Sequence, residues 1–198
     1  VSVKIESTSE LWLIRHGETE WSASGRHTGR TDVPLTSQGE QQANRLRQRL
    51  QRQEFSLVLT SPLRRARDTC VLAGYGDRAV MDMNLREWDY GIYEGRTTAE
   101  IQAERPGWEP WTAAMPQGEA ADEVGVRADL AISHAMSGSG KVALFAHAHL
   151  LRVLAARWLG WPAAAGRSLL LDTASVSVLG YEHGNRVIAL WNDVSHLE

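Results

Sequence analysis

Apolar residues along this chain fall into two rhythms. Short runs bounded by charge, LWLI (11–14), SLVLT (56–60) and KVALFA (141–146), read as strands buried on both faces. The segments between them carry helical spacing. In TSQGEQQANRLRQRLQRQ, Thr36 stands where a helix cap belongs, and Ala43, Leu46 and Leu50 share one face. SPLRRARDTCVLA reads as a helix with Pro62 in its first turn. Glu119 to Met136 places Val124, Ala128, Ala131 and Ala135 on one side, and HLLRVLAARWLG does the same with Leu151, Leu154, Ala155 and Trp158. The middle, 78–118, is less regular: a short AVMDM strand, the segment NLREWDYGIYEG, a brief helix near TTAEI and the turn-rich RPGWEPWTAAMPQG. ASVSVLGY and VIALW form a hairpin turned at EHGNR. This alternation predicts an α/β fold, a single domain over 1–198. Its architecture is a three-layer α/β/α sandwich on a mostly parallel central sheet, with an antiparallel edge.

Composition narrows the function. At 198 residues the chain supports one substantial core, and 43% hydrophobic with 23% charged residues excludes disorder and fibrous architectures. A net charge of -3 offers no long-range pull on nucleic acid, so any bound anion must be held by locally placed cations. The single cysteine, Cys70, cannot close an intramolecular disulfide and reads as a small buried hydrophobe in a reducing compartment. No stretch approaches the length of a membrane span, and the first ten residues, VSVKIESTSE, lack the apolar segment of a secretory leader. The expectation is a cytoplasmic protein without nucleic-acid or membrane partners.

Chemistry concentrates where the strands end, which in open α/β sheets is where ligands sit. The first strand ends in Arg15-His16-Gly17, the second in Thr60-Ser61 with Arg64-Arg65 one turn on, the last parallel one in His147-Ala148-His149. Guanidinium groups, imidazoles and helix amino termini converging on one edge suit a phosphate dianion. Gly17 is expected to let the backbone approach that ligand closely. A neutral imidazole attacks phosphorus without a metal if cations neutralise the developing charge, which makes His16 the candidate nucleophile and His147 a candidate stabiliser of the phosphoryl oxygens. The leaving alkoxide needs a proton. Glu87, beside Trp88 and Tyr90, is the candidate acid, with Asp89 as its rival.

Five ordered segments, RHGETEW, GRHTGRTDVPLTSQG, SPLRRARDT, LREWDYGIYEG and FAHAH, together resemble the histidine phosphatase superfamily, also called phosphoglycerate mutase-like, from about Leu11 to Gly160. The likeness is nearest to the branch of small bacterial acid phosphatases and the fungal sedoheptulose-1,7-bisphosphatase. That resemblance implies the phosphoglycerate mutase-like fold, a phosphohistidine on His16, a phosphate pocket of Arg15, Arg65 and His147, and Glu87 rather than Asp89 as proton donor. It also implies substrate contacts from Thr28, Gly29 and Tyr90 and no cofactor, and Ser22, His149 and Arg152 are read as further substrate contacts beside them. The chain departs from the family at Ala148, where glycine is usual, and at Ser22 and His149, where mutases carry asparagine. Dimers and tetramers occur in the family, so a homodimer is among the expected states.

Other readings stay open at this point. His147 and His149 could be metal ligands, although nearby arginines oppose a cation and no carboxylate cluster accompanies them. A phosphoglycerate mutase is the second enzymatic reading, against which the interval between Tyr90 and Trp111 holds only Arg96 and Arg105 as cations. A catalytically silent phosphate-binding or docking module is the third. Arg64 and Arg67 read as solvated, Asp68 as a partner for one of them, and Arg152 as able to reach a second phosphate. Trp158 and Trp191 read as core. Trp108 and Trp111 either anchor their loop or fold over the pocket. His27 is placed at the mouth, and His134, His183 and His196 at the surface. The reading selected is a metal-independent phosphomonoesterase acting on a small phosphate ester such as a sugar phosphate or bisphosphate.

Overall fold

The computed structural model describes residues 9–198. The expectation drawn from the first ten residues falls mostly on 1–8, outside the described residues. A six-stranded sheet is built from β1 (Glu10–Arg15), β2 (Phe55–Thr60), β3 (Ala79–Met81), β4 (Lys141–Ala146), β5 (Val176–Glu182) and β6 (Asn185–Asp193), in the order β3-β2-β4-β1-β5-β6. The first four strands in that order run parallel, whereas β5 and β6 are antiparallel to their neighbours. The helices are α1 (Glu20–Ala23), α2 (Ser37–Leu50), α3 (Arg64–Leu72), α4 (Thr98–Glu104), α5 (Ala121–Ala135) and α6 (Ala148–Trp158).

Strand alternation sorts the core into two clusters, one on each face of the sheet. Trp12 and Ile14 of β1 pack with Leu46 and Leu50 of α2 and Cys70 of α3, while Leu11 and Leu13 pack with α5, α6 and the 85–115 segment. This is the predicted three-layer sandwich. Apolar burial drives it at roughly 25 cal/mol per Å². Helix α6 is buried on nearly all sides, Leu150 through Trp158, because α5 and a 3-10 segment at Ala163–Ser168 cover the flank that the sequence pattern leaves open. Trp158 is fully buried, whereas Trp191 is half-buried and donates its indole N–H to the Leu170 carbonyl. Cys70 is buried, and desolvation pushes its thiol pKa up to about 12.

Two helix starts differ from expectation. Thr36 caps α2 by accepting the Gly39 N–H at 3.0 Å, as expected, but Pro62 precedes α3 instead of lying in its first turn. The Ser61 hydroxyl accepts the Leu63 N–H and the Asp32 carboxylate accepts that of Arg64, so the helix begins only at Arg64. Arg64 then pairs with Asp68 one turn on. His134 is tied to the buried Asp82 at 2.8 Å, and the ring of His196 reaches the Ala174 carbonyl. His134 and His183 are exposed, as expected, whereas His196 is half-buried. Among the described residues, no helix is long and apolar enough to cross a membrane.

Candidate active site

Strands β1 and β4 are neighbours in register, so the residues that follow them, His16 and His147, emerge side by side. Their rings lie 5.2 Å apart, centroid to centroid. His16 Nδ1 is 2.7 Å from the Gly17 carbonyl oxygen. A carbonyl only accepts, so the proton of the neutral ring sits on Nδ1 and the lone pair of Nε2 is free. Burial, and then the charges of Arg65 and Arg15, hold the His16 pKa well below the usual imidazole value. The ring is therefore neutral and nucleophilic at Nε2.

His147 is fixed by the same logic in the opposite tautomer. Arg65 Nε donates to its Nδ1 at 3.1 Å, leaving Nε2–H to donate to the Ser61 hydroxyl at 2.8 Å. The remaining Arg65 contacts run to the carbonyls of Thr28, Gly29 and Thr31, while Glu94 accepts the N–H groups of Gly29 and Thr31. A Cβ on Gly29 would stand 2.5 Å from the Trp88 carbonyl, which explains glycine there. A Cβ on Gly17 would meet the Gly39 carbonyl of α2 at 2.4 Å, so the bare backbone here also lets that helix pack against the strand end.

Glu87 reaches this edge from an irregular segment and accepts three backbone N–H groups: Trp88 (2.9 Å), His149 (3.1 Å) and Leu150 (2.9 Å). It thereby caps α6, whose N-cap His147 contributes no side-chain cap. Burial raises the Glu87 pKa against the pull of those donors and of Arg65. Asp89 instead pairs with Arg30 at 2.7 Å and lines a second cavity, which Glu87 also reaches, and not the one over His16.

A cavity of about 550 Å³ opens over these groups. Of the residues read from sequence, Arg15, His16, Ser22, Thr28, Glu87, Tyr90, His149 and Arg152 line it, with His27 also in the wall. Arg65 and His147 do not line it but form the buried layer behind, and Gly29 lines the second cavity. The Ser22 hydroxyl is engaged in a capping box with Thr19 at the start of α1. Arg15 donates one Nη1 to the Leu171 carbonyl, and its buried Nε has no partner among the described residues. Arg152 donates to the carbonyls of Gly166 and Arg167 and lies 4.6 Å over the Trp111 ring. His149 shares a short hydrogen bond with the Tyr90 hydroxyl and sits 5.0 Å from Trp111. Burial, then Arg152, holds His149 neutral, and burial keeps the Tyr90 phenol protonated. Trp108 and Trp111 are both buried, and Trp111 also forms cavity wall, so anchoring and lining coincide.

Several cavity residues escape the sequence reading: Arg26, Gln102, Glu109, Leu170, Leu171 and Asp172. The last three precede β5. Because β5 is antiparallel, its start and not its carboxyl end lies at the edge where the parallel strands end. Among the described residues, no group of three or more His, Cys, Asp or Glu side chains is placed to hold a metal ion.

The model of the histidine phosphatase superfamily (branch 1) matches residues 11–194. An acid phosphatase of Mycobacterium tuberculosis is 42% identical over 190 residues, 94% of this chain and 93% of that protein. Sedoheptulose 1,7-bisphosphatase of Saccharomyces cerevisiae is 39% identical over 186 residues, 77% of this chain and 68% of that one. A probable phosphoglycerate mutase of Cronobacter sakazakii is 33% identical, covering 96% of this chain and 95% of its own. Among solved structures, that of an open reading frame from Mycobacterium tuberculosis superposes with a TM-score of 0.89 at 41% identity, covering 93% of this chain and 97% of that one. The chain belongs to the histidine phosphatase superfamily. Within it, the class is that of phosphoric monoester hydrolases.

Proposed function

We propose that this chain hydrolyses a small phosphate ester, a sugar phosphate or bisphosphate, through a phosphohistidine on His16 and without a metal. The observation that carries this reading is the free Nε2 of His16 at a cavity walled by Arg15, whose buried Nε is unpartnered. In the first step Nε2 attacks phosphorus, the P–O ester bond breaks, and the alkoxide takes the proton of Glu87. In the second, water attacks phosphorus, the N–P bond breaks, and the Glu87 carboxylate takes the water proton. Arg15 offsets charge on the equatorial oxygens throughout, and Arg65 and His147 support the nucleophile from behind. The sugar-phosphate class rests on the yeast bisphosphatase relative and on Arg152, a second guanidinium in the same wall.

Brief mixing with p-nitrophenyl phosphate is expected to trap an acid-labile, base-stable phosphoprotein in the wild type. His16→Ala should trap none and lose phosphate release by about 10³-fold or more. A wild-type protein that turns over without that intermediate would overturn the reading.

A mutase is favoured by the 33% identical relative. Hydrolysis is supported over it because Arg96 is paired with Glu104 and Arg105 stands over Tyr93, neither lining the cavity. Isomerisation of 3-phosphoglycerate in the presence of 2,3-bisphosphoglycerate, without free phosphate, would reverse that preference.

A further inference from the structure

The segment that presents Glu87 follows a 3-10 turn (Met83–Leu85) and has no strand or helix of its own. Its carbonyls need partners from elsewhere. One side chain supplies them. Arg127, in the middle of α5, donates Nη1 to the carbonyls of Asn84 (2.9 Å) and Arg86 (3.0 Å) and Nη2 to that of Glu87 itself (3.3 Å). Its Nε and second Nη2 bond go to the two oxygens of Glu119, at 2.6 and 2.7 Å. A guanidinium has five N–H donors, and these five bonds engage all of them. Glu119 passes the constraint on: one oxygen accepts the Asp89 N–H at 3.0 Å, and its backbone carbonyl accepts the Trp88 indole at 2.7 Å. Every residue from 86 to 89 is thus tied to the Arg127–Glu119 pair.

Arg127 touches neither the cavity over His16 nor any reacting atom. It has no donor left for a ligand. What it does control is where the Glu87 backbone lies relative to α6, the helix whose N–H groups hold the carboxylate. Helices α5 and α6 pack against each other, so the two attachments share one rigid base. Fixing the main chain from α5 and the carboxylate from α6 sets the reach of the acid toward the leaving oxygen, and misplacement of such a group by an ångström costs on the order of 10²-fold.

We infer that Arg127 is a positioning residue for the proton donor: through its five hydrogen bonds, with Glu119, it holds Glu87 where it protonates the leaving alkoxide. The inference rests on the assignment of His16 and Glu87 above. It distinguishes Arg127 from a purely structural residue, because only esters with poor leaving groups need the proton.

The test compares kcat/KM, which reports the chemistry up to phosphoenzyme formation, for p-nitrophenyl phosphate and for glycerol 2-phosphate. Arg127→Lys keeps the charge but not the five bonds. It is expected to lose about tenfold or more on the alkyl ester and less than about twofold on the nitrophenyl ester. Glu87→Gln should show the same split, and adding Arg127→Lys to it should cost less than about twofold more. The alkaline limb for the alkyl ester should move to lower pH as water gains access to Glu87. Equal losses on both esters by a folded variant would overturn the inference. If Arg127→Lys does not fold, Glu119→Gln, which loosens the same guanidinium, is read in its place by the same criteria. Wild-type protein that forms no phosphoenzyme from either ester would instead remove the assignment of His16, and the inference with it.

Discussion

An imidazole that gives its Nδ1 proton to the adjacent main-chain carbonyl keeps one tautomer for as long as it stays neutral, and His16 is kept neutral by burial and two arginines. Glu87 is perturbed in the opposite direction, its proton retained above the usual carboxyl range. The pH dependence follows from the two signs together. Protonation silences His16, and because its pKa is lowered the acid loss falls below the ordinary imidazole range. Loss of the Glu87 proton silences the acid, so activity on alkyl phosphates declines as pH rises through the raised value. Glu87→Gln should remove that alkaline decline and reduce kcat/KM on alkyl phosphates by about 10²–10⁴-fold, as read from full pH–rate profiles. At this scale the sequence shows most of the chemistry, since RHG and HAH sit at strand ends. It does not show depth. Arg65 and His147 read from the sequence as members of the phosphate pocket itself, whereas the turning of the guanidinium donors onto the carbonyls of Thr28, Gly29 and Thr31 depends on a loop folded over it.

The link between β1 and α2 is a contact of bare backbones. A Cβ on Gly39 would stand 2.1 Å from the Glu18 carbonyl, and one on Gly17 would stand 2.4 Å from that of Gly39. Gly39→Ala is therefore expected to destabilise the protein by about 1–3 kcal/mol. It should also lower phosphate release, because the displaced turn begins one residue after His16; thermal unfolding and turnover measured on the same sample check both. Long elements were legible because their periods repeat. The faces of α2, α5 and α6 fall where Leu46, Ala128 and Leu154 indicate. Short elements were not: α1 has four residues, too few for a period, and its one signal is the Thr19–Ser22 capping pair. The α3 start was misplaced because its caps come from Ser61 and from the distant Asp32.

Across the whole molecule, the alternation of strands and helices made the sandwich and its parallel centre legible, and the final hairpin announced the antiparallel edge. What strand order does to the crevice was not legible. Reversal of β5 brings Asp172 and the Leu171 carbonyl to the Arg15 side, and nothing local to that loop marks it. The lone thiol of Cys70 lies in the cluster between the sheet and α2, 1% exposed and with its pKa pushed up to about 12. Iodoacetamide can reach it only when that layer comes apart. Its alkylation rate should accordingly rise with denaturant in step with loss of far-ultraviolet circular dichroism, and faster labelling in native buffer would reveal a partial opening. One cysteine per chain thus serves as a built-in clock for cooperative unfolding, with no engineered probe required.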